Sequence, residues 1–535
     1  MKKQTKGIFF TVLFGGGLLF WATAATLPGI IPEDSISVST ETGTPLDNYP
    51  DVQREQFCSS EDTARSNSFV QEYRIPTPCT QPLAITTDPN GNVWFTQANN
   101  KGIAKFEPSS ETFTEFKNPK WLANFPPRSM MWGIDYSPDG SIWFTDEATD
   151  AIWKFSIANQ EYSRIDFPKT SESLPQRLSV DGSNIIVNDF TGNKIIFLDP
   201  AQSEIGISHL SIPSPVENSV TGAFTVDSQR NVWYTNWIYQ TGGVLAKLSQ
   251  EKLEESTSAQ SENDFGPAAI FDFIDIFTFP AGMTTPNGIA AANDGTIWIS
   301  DTSSNFFFKF DPDTESFTKY LTSPPQISSY GNSSGLVPNP VSRPYWGAFD
   351  NDGRYVFNEQ TANRIGVFDP KTESLIEYMI PSNNPNWADC EGMDDCGLAQ
   401  AFDFTISGDK IWFTEWVENN IGMIDTSRPL FFDVQLDKQK IILKKGEQTQ
   451  ITFSLSPSQN TPDISLVSID TSQFSDLSIS YNAPQIFSLD SNSPRSFDVT
   501  ITASENALPD IHKVLLSAQT DELVVSQFVT VIIEQ

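Results

Sequence analysis

Five acids, Asp146, Asp189, Asp301, Glu359 and Glu415, each close a short apolar run of one design. The runs are Ile142-Trp143-Phe144-Thr145-Asp146, Ile185-Ile186-Val187-Asn188-Asp189, Ile297-Trp298-Ile299-Ser300-Asp301, Tyr355-Val356-Phe357-Asn358-Glu359 and Ile411-Trp412-Phe413-Thr414-Glu415. Two further copies end on amides, Val93-Trp94-Phe95-Thr96-Gln97 and Val232-Trp233-Tyr234-Thr235-Asn236. Carboxylate oxygens gathered in a ring suit a hard cation such as magnesium or calcium, and Glu415, Glu359 and Asp301 are the candidate ligands. With Trp132, Trp346, Trp237 and Trp416 beside them, the same acids suit a polar ligand, a sugar or a peptide, whose apolar faces the indoles would cover. The third option is that each acid only accepts hydrogen bonds from its own turn, a common role for Asp at a strand end.

Positioning these acids falls to a repeat. The Trp-equivalent positions are 94, 143, 186, 233, 298, 356 and 412, spaced 49, 43, 47, 65, 58 and 56 apart. Self-similarity at about 40–50 residues, stretched by insertions, is the signature of propeller blades. Each unit reads as four strands bounded by Gly, Asn, Asp and Pro turns. The last unit, ending at Ile421-Gly422-Met423-Ile424-Asp425, lacks a fourth strand, so Phe69-Val70-Gln71-Glu72-Tyr73-Arg74-Ile75-Pro76 is expected to complete it and close the ring. The fold class expected is all-β: a seven-bladed β-propeller of four-stranded blades over 67–428, followed by an immunoglobulin-like β-sandwich over 429–535. Antiparallel pairing of the first two strands sets Trp132 against Asp146, Asn287 against Asp301, Trp346 against Glu359 and Ala401 against Glu415. The candidate rim is therefore Trp132, Asp146, Asp189, Asn236, Asn287, Asp301, Trp346, Glu359, Glu415 and Trp416. Long loops at 118–131, 323–345 and 381–400 enter the same rim, the last with Trp387 and Cys390-Glu391-Gly392-Met393-Asp394-Asp395-Cys396. Long loops concentrate function.

The 535 residues carry 33 basic and 67 acidic side chains, a net charge of −34. Such a surface repels nucleic acid and anionic headgroups. Lys2, Lys3 and Lys6 precede an uncharged apolar run, so residues 1–32 read as an export signal, cleaved after Ala22-Thr23-Ala24 or retained as an anchor. A polar stalk, 33–66, follows. Both readings place the chain outside the cytoplasm, where Cys58, Cys79, Cys390 and Cys396 form disulfides, local pairing being preferred. The partners expected are an extracellular small molecule, glycan or protein, with membrane contact only through the N-terminal segment.

The repeat Gly-Ile-x-x-x-x-Asp-Gly-x-x-Trp-Phe-Thr-Glu/Asp with a following Asn-x-Ile-Gly resembles the streptogramin (virginiamycin B) lyase family over 67–428. The resemblance implies a seven-bladed propeller that opens a cyclic depsipeptide by magnesium-assisted elimination. In the family pattern a His opens the first strand of two neighbouring blades, and glutamates two residues earlier and at the following second-strand end hold the metal. Laid on this chain, Glu415 takes the strand-end position, Ala401 the histidine and Ala399 the earlier glutamate. In the sixth blade the set becomes Trp346, Glu359 and Pro344. No blade opens with His; the two histidines, His209 and His512, read as surface or edge residues. A weaker likeness, Pro286-Asn287-Gly288-Ile289 with Asp294-Gly295 and Ser300-Asp301, is to gluconolactonase-like propellers. Elimination needs a base, so the expected function is a ligand- or protein-binding module on the acidic and aromatic rim. The alternative is a divalent-metal-dependent lyase or lactone hydrolase centred on the rim carboxylates.

Overall fold

The computed structural model describes Cys58 and residues 64–534, apart from 123, 127, 168–172, 183, 200–207, 239–240, 252–273, 331–340, 386–389, 391–392, 394–395 and 473–474. The expected signal or anchor (1–32), nearly all of the stalk, Trp387, Glu391, Asp394, Asp395 and the His209 side chain lie outside the described residues.

Second strands such as Val93–Gln97, Ile297–Asp301 and Tyr355–Glu359 are buried along their whole length, because another blade packs on each face. That is why they read as near-continuous apolar runs. Outer strands such as Thr112–Lys117 are half exposed and alternate polar with apolar. Among the described residues seven such antiparallel units form, with inner strands Pro82–Thr87, Ile134–Ser137, Pro175–Asp181, Val220–Val226, Pro286–Ala291, Pro344–Phe349 and Ala401–Ser407. We number these blades 1 to 7. The inner strands touch one another in cyclic order, and that of blade 7 meets that of blade 1. Val70–Arg74 supplies the outer strand of blade 7, pairing with Asn420–Asp425. The ring is closed, as the missing fourth strand implies.

The Thr, Ser or Asn before each acid joins neighbouring blades. Thr96 donates to the Met131 carbonyl (2.9 Å), Thr145 to Gln176 (3.0 Å), Asn188 to Thr221 (2.9 Å) and Thr235 to Pro286 (2.7 Å). Ser300 meets the Tyr355 hydroxyl (2.8 Å), Asn358 donates to Ala401 (2.7 Å), and Thr414 donates to Leu83 (2.8 Å), which carries the chain of contacts from blade 7 back to blade 1. Each bond satisfies a buried carbonyl or hydroxyl of the neighbouring blade that water cannot reach.

Glycine at one third-strand position is required by close approach. A Cβ on Gly422 would lie 2.1 Å from the Phe413 ring, and one on Gly366 2.6 Å from the Phe357 ring. Gly422→Ala is expected to destabilise the chain by about 1–3 kcal/mol, the usual cost of overpacking a dense core. A urea midpoint unchanged from the parent would contradict this.

Strands from Phe432 onward form a sandwich. One sheet orders Phe432–Leu436, Gln448–Pro457, Arg495–Ala503 and Leu477–Tyr481. The other contains Leu523–Glu534, Ile511–Gln519, Thr461–Asp470 and Phe487–Leu489, and Lys440–Lys444 runs parallel to Leu523–Glu534. This second sheet is continuous with blade 6. The outer strand Ser374–Met379 pairs antiparallel with the first half of Leu523–Glu534, from Ser374↔Gln527 to Tyr378↔Leu523. Phe528 packs on Tyr320 and Phe368 at 5.3 and 5.7 Å. The sandwich thus covers the edge of blade 6 and is braced against it. His512 pairs with Val531 inside this sheet and is 3% exposed. Expected at a surface or edge, it is instead buried, because its strand has a partner on both sides. Disulfides join Cys58 to Cys79 and Cys390 to Cys396, the local pairing.

Candidate functional site

Each candidate acid is fully buried at the end of its second strand. Asp146 accepts from Ser129, Thr149 and the Trp153 indole. Asp189 accepts from Ser173 (2.8 Å) and the amides of Leu174 (2.7 Å) and Gly192 (3.0 Å), with Lys194 at 3.6 Å. Asp301 accepts from the Thr285 amide (2.7 Å), Ser303 (3.0 Å) and Ser304 (2.8 Å). Asn236 accepts from the Val216 amide (2.8 Å) and donates to Asn193, Ser219 and Val220. Each side chain clasps the turn that follows its strand, the loop that enters its blade, or both. Burial pushes Asp146, Asp189 and Asp301 up from the ordinary carboxylate range, against their hydrogen bonds.

Glu359 and Glu415 differ from the aspartates, since each leaves Oε1 without a donor. Glu359 meets Arg364 (2.7 Å), which also faces Glu377 (3.3 Å); all three side chains are completely buried. Burial pushes Glu359 up to about 8, partly opposed by the guanidinium. Glu415 accepts from Asn420 (2.8 Å) and faces the carboxyl of Glu72, and burial holds it well above its usual range. The candidate metal ligands Glu415, Glu359 and Asp301 therefore lie in three blades, each within its own clasp. Among the described residues no three His, Cys, Asp or Glu side chains gather as metal ligands. The residues present do not fit a shared magnesium or calcium site.

The expected cross-strand pairs need correction. In six blades the inner strand carries a β-bulge near its start. Asp301 consequently faces Pro286, not Asn287, and Glu359 faces Pro344, not Trp346; Ala401 does face Glu415. Trp132 precedes its strand, and the Glu147 amide bonds to Met130. A bulge inserts a residue and re-aims those around it. Asn287 is left donating to Thr302 (3.1 Å).

The aromatic candidates turn toward the axis. Trp132 meets Phe402 edge-on at 5.8 Å, Phe402 meets Trp416 at 5.3 Å and Tyr345 at 6.1 Å, and Tyr345 lies on Trp346 at 4.2 Å. Together they plug the strand-end rim. Beneath the plug Arg177 of blade 3 crosses the axis to Asp403 of blade 7 (2.9 Å), its guanidinium 4.6 Å from the Trp346 ring centre. A cavity of about 450 Å³ continues from there. It is walled by inner strands of blades 3 to 6, including Phe224, Ile289, Ala291, Ala348 and Phe349, and opens between Asn293 and Asn351. Those two lie in turns joining first and second strands, so the mouth is on the rim opposite the acids.

Arg177, Asp403 and Phe402 were not singled out from sequence. The available signal was Arg177 itself, a cation between Pro175-Gln176 and Leu178 in a strand whose neighbours crowd the axis.

No protein-family model and no curated protein matches the chain. It is similar to solved structures of virginiamycin B lyase from Staphylococcus aureus (19% identity, 66% of this chain and 98% of that one, TM-score 0.49) and of a streptogramin B lyase (20%, 66% and 96%, 0.49). YCF48 bound to a D1 peptide is another (9%, 68% and 97%, 0.42). The propeller fold and its closure rest on the strand pairing described above.

Proposed function

We propose that this chain is an exported binding propeller that takes an extracellular ligand in its axial cavity. In this reading residues 67–428 bind, 429–535 brace blade 6, and 1–32 carry the export signal or the sole membrane attachment. The observation that carries it is the cavity, whose volume of about 450 Å³ falls within the span of small-ligand sites, about 300–1,000 Å³. Arg177, paired with Asp403, lines one end, and the lining exposes more polar than apolar surface. Two disulfides support an oxidising compartment.

The alternative, a divalent-metal-dependent lyase or lactone hydrolase, requires carboxylates that reach a substrate. The burial of Asp301, Glu359 and Glu415 within separate blades weighs against it. Crystals soaked in a small-fragment mixture, and separately in magnesium chloride, test both readings. Fragments are expected between Phe224 and Phe349. Hits confined to the strand-end rim would sink the proposal, and an ordered magnesium ion on Glu359 or Glu415 would favour the alternative.

A further inference from the structure

The chemistry left unspent around the cavity narrows the ligand. At the floor, Asp403 accepts from the Phe404 amide (3.0 Å) through Oδ1 and from the Ile85 amide (3.2 Å) and Arg177 Nη1 (2.9 Å) through Oδ2. Asp135, the other acid near Arg177, accepts from the amides of Val180 and Tyr136, both at 2.8 Å. At the mouth Asp350 accepts from the amides of Asp352 (3.0 Å) and Arg354 (2.8 Å) and from Arg354 Nε (2.6 Å). All three carboxylates are occupied by the protein. Arg177 is not: a guanidinium carries five N–H donors, Nη1 goes to Asp403, and 28% of the side chain remains exposed where it lines the cavity. Trp346 against one face and Asp403 beside it fix its plane in advance. The deep end therefore offers the N–H donors that Arg177 does not give to Asp403, and around it Phe224, Phe349 and small aliphatic side chains stand among the polar groups Thr225, Asn293, Asp350 and Asn351.

We infer that the cavity selects a small monocarboxylate, its carboxylate on Arg177; this rests on the axial cavity being the binding site. Arg presents paired N–H donors that match a carboxylate. The net charge of −34 opposes any anion, but exposed charges farther than the Debye length, about 8 Å at physiological salt, are largely screened. The guanidinium acts at contact distance.

The test uses the full chain, with benzoate and phenylacetate as probes and benzamide as the neutral control, read by calorimetry. The acids are expected to bind and benzamide to bind at least about tenfold more weakly, the fold-change that losing a charge-assisted hydrogen bond produces. Arg177→Met should weaken the acids by a similar factor. Because it leaves Asp403 unpaired, two further variants accompany it. Ala291→Leu narrows the half-buried wall without touching the ion pair and should abolish binding. Asp403→Asn removes a competing charge and should tighten acid binding. Equal binding of benzoate and benzamide, both lost in Ala291→Leu, would overturn the carboxylate assignment and leave the cavity as the site. Probe binding indifferent to Ala291→Leu, or no binding of any probe, would overturn both.

Discussion

Arg364→Ala is expected to lose about 3–5 kcal/mol of stability, the cost of removing one partner from a buried ion pair. Arg364, Glu359 and Glu377 are completely buried. The guanidinium also donates to the Ser323 hydroxyl (2.6 Å) and carbonyl (2.8 Å), which anchors the loop entering blade 6. Without it, two carboxyls face each other with no cation. The defect should deepen with pH. Burial already holds Glu359 at about 8, and removing the opposing cation raises its folded value further. A raised folded value means stability present at acid pH and lost as pH rises through that value. Glu377 also lies in the strand that pairs with Val524 of the sandwich, so the seam between sandwich and blade should loosen. Urea unfolding at pH 5 and pH 8 of the parent, Arg364→Ala, and Arg364→Ala with Glu359→Gln checks this. The double variant should recover part of the loss at pH 8. A single variant within about 1 kcal/mol of the parent, the size of an exposed pair, would show that the triad is not a buried electrostatic unit.

How much of this was legible in sequence follows from which contacts are local. The Trp-Phe-Thr-acid strand repeats because every blade buries its second strand on both faces, and burial leaves an apolar run in the chain. Ring closure was legible because the last unit lacks an outer strand and the segment before the first unit supplies one. The joint between blade 6 and Leu523–Glu534 left no such trace, since an edge strand looks the same whichever chain segment covers it. The Thr of the motif was visible as a repeat, but its partner is a backbone carbonyl one blade away, which no side-chain pattern records. The plug and the cavity were hidden for two reasons. Bulges shift the inner-strand register, so Trp346 no longer opposes Glu359, and a period of two cannot reveal one extra residue. Arg177 and Asp403 meet across the axis from blades 3 and 7, where neither spacing nor blade order makes them neighbours.

Glu415→Gln is expected to flatten the pH dependence of stability, because Glu415 and Glu72 face each other where the N-terminal strand closes the ring. Glu72 is 5% exposed and accepts from the amides of Ser382 (2.8 Å) and Arg65 (2.8 Å) and from the Ser382 hydroxyl. Glu415 is completely buried, and Asn420 donates to one of its oxygens. The other charged groups beside them are Glu418, whose field raises Glu415, and Arg74, which reaches the Glu418 carbonyl and Asn420. Burial pushes Glu72 up to about 7 and holds Glu415 well above its usual range. Two carboxyls so placed hold a shared proton that the unfolded chain gives up near 4.5. The folded state therefore binds more protons than the unfolded state above that pH. Stability from the pair is complete below pH 4.5 and falls as pH rises toward 7 and beyond, with a slope approaching about 1.4 kcal/mol per pH unit for one proton. Gln at 415 keeps the shape, can donate to Glu72, and removes one of the two carboxyls whose folded value is raised, while Glu72 keeps the shift that its own burial gives it. The variant should match or exceed the parent at pH 8 and gain nothing at pH 4.5. Parallel stability curves for parent and variant across pH 4.5–8 would mean that the two carboxyls do not share a proton, and that the closure of blade 7 is held by backbone pairing alone.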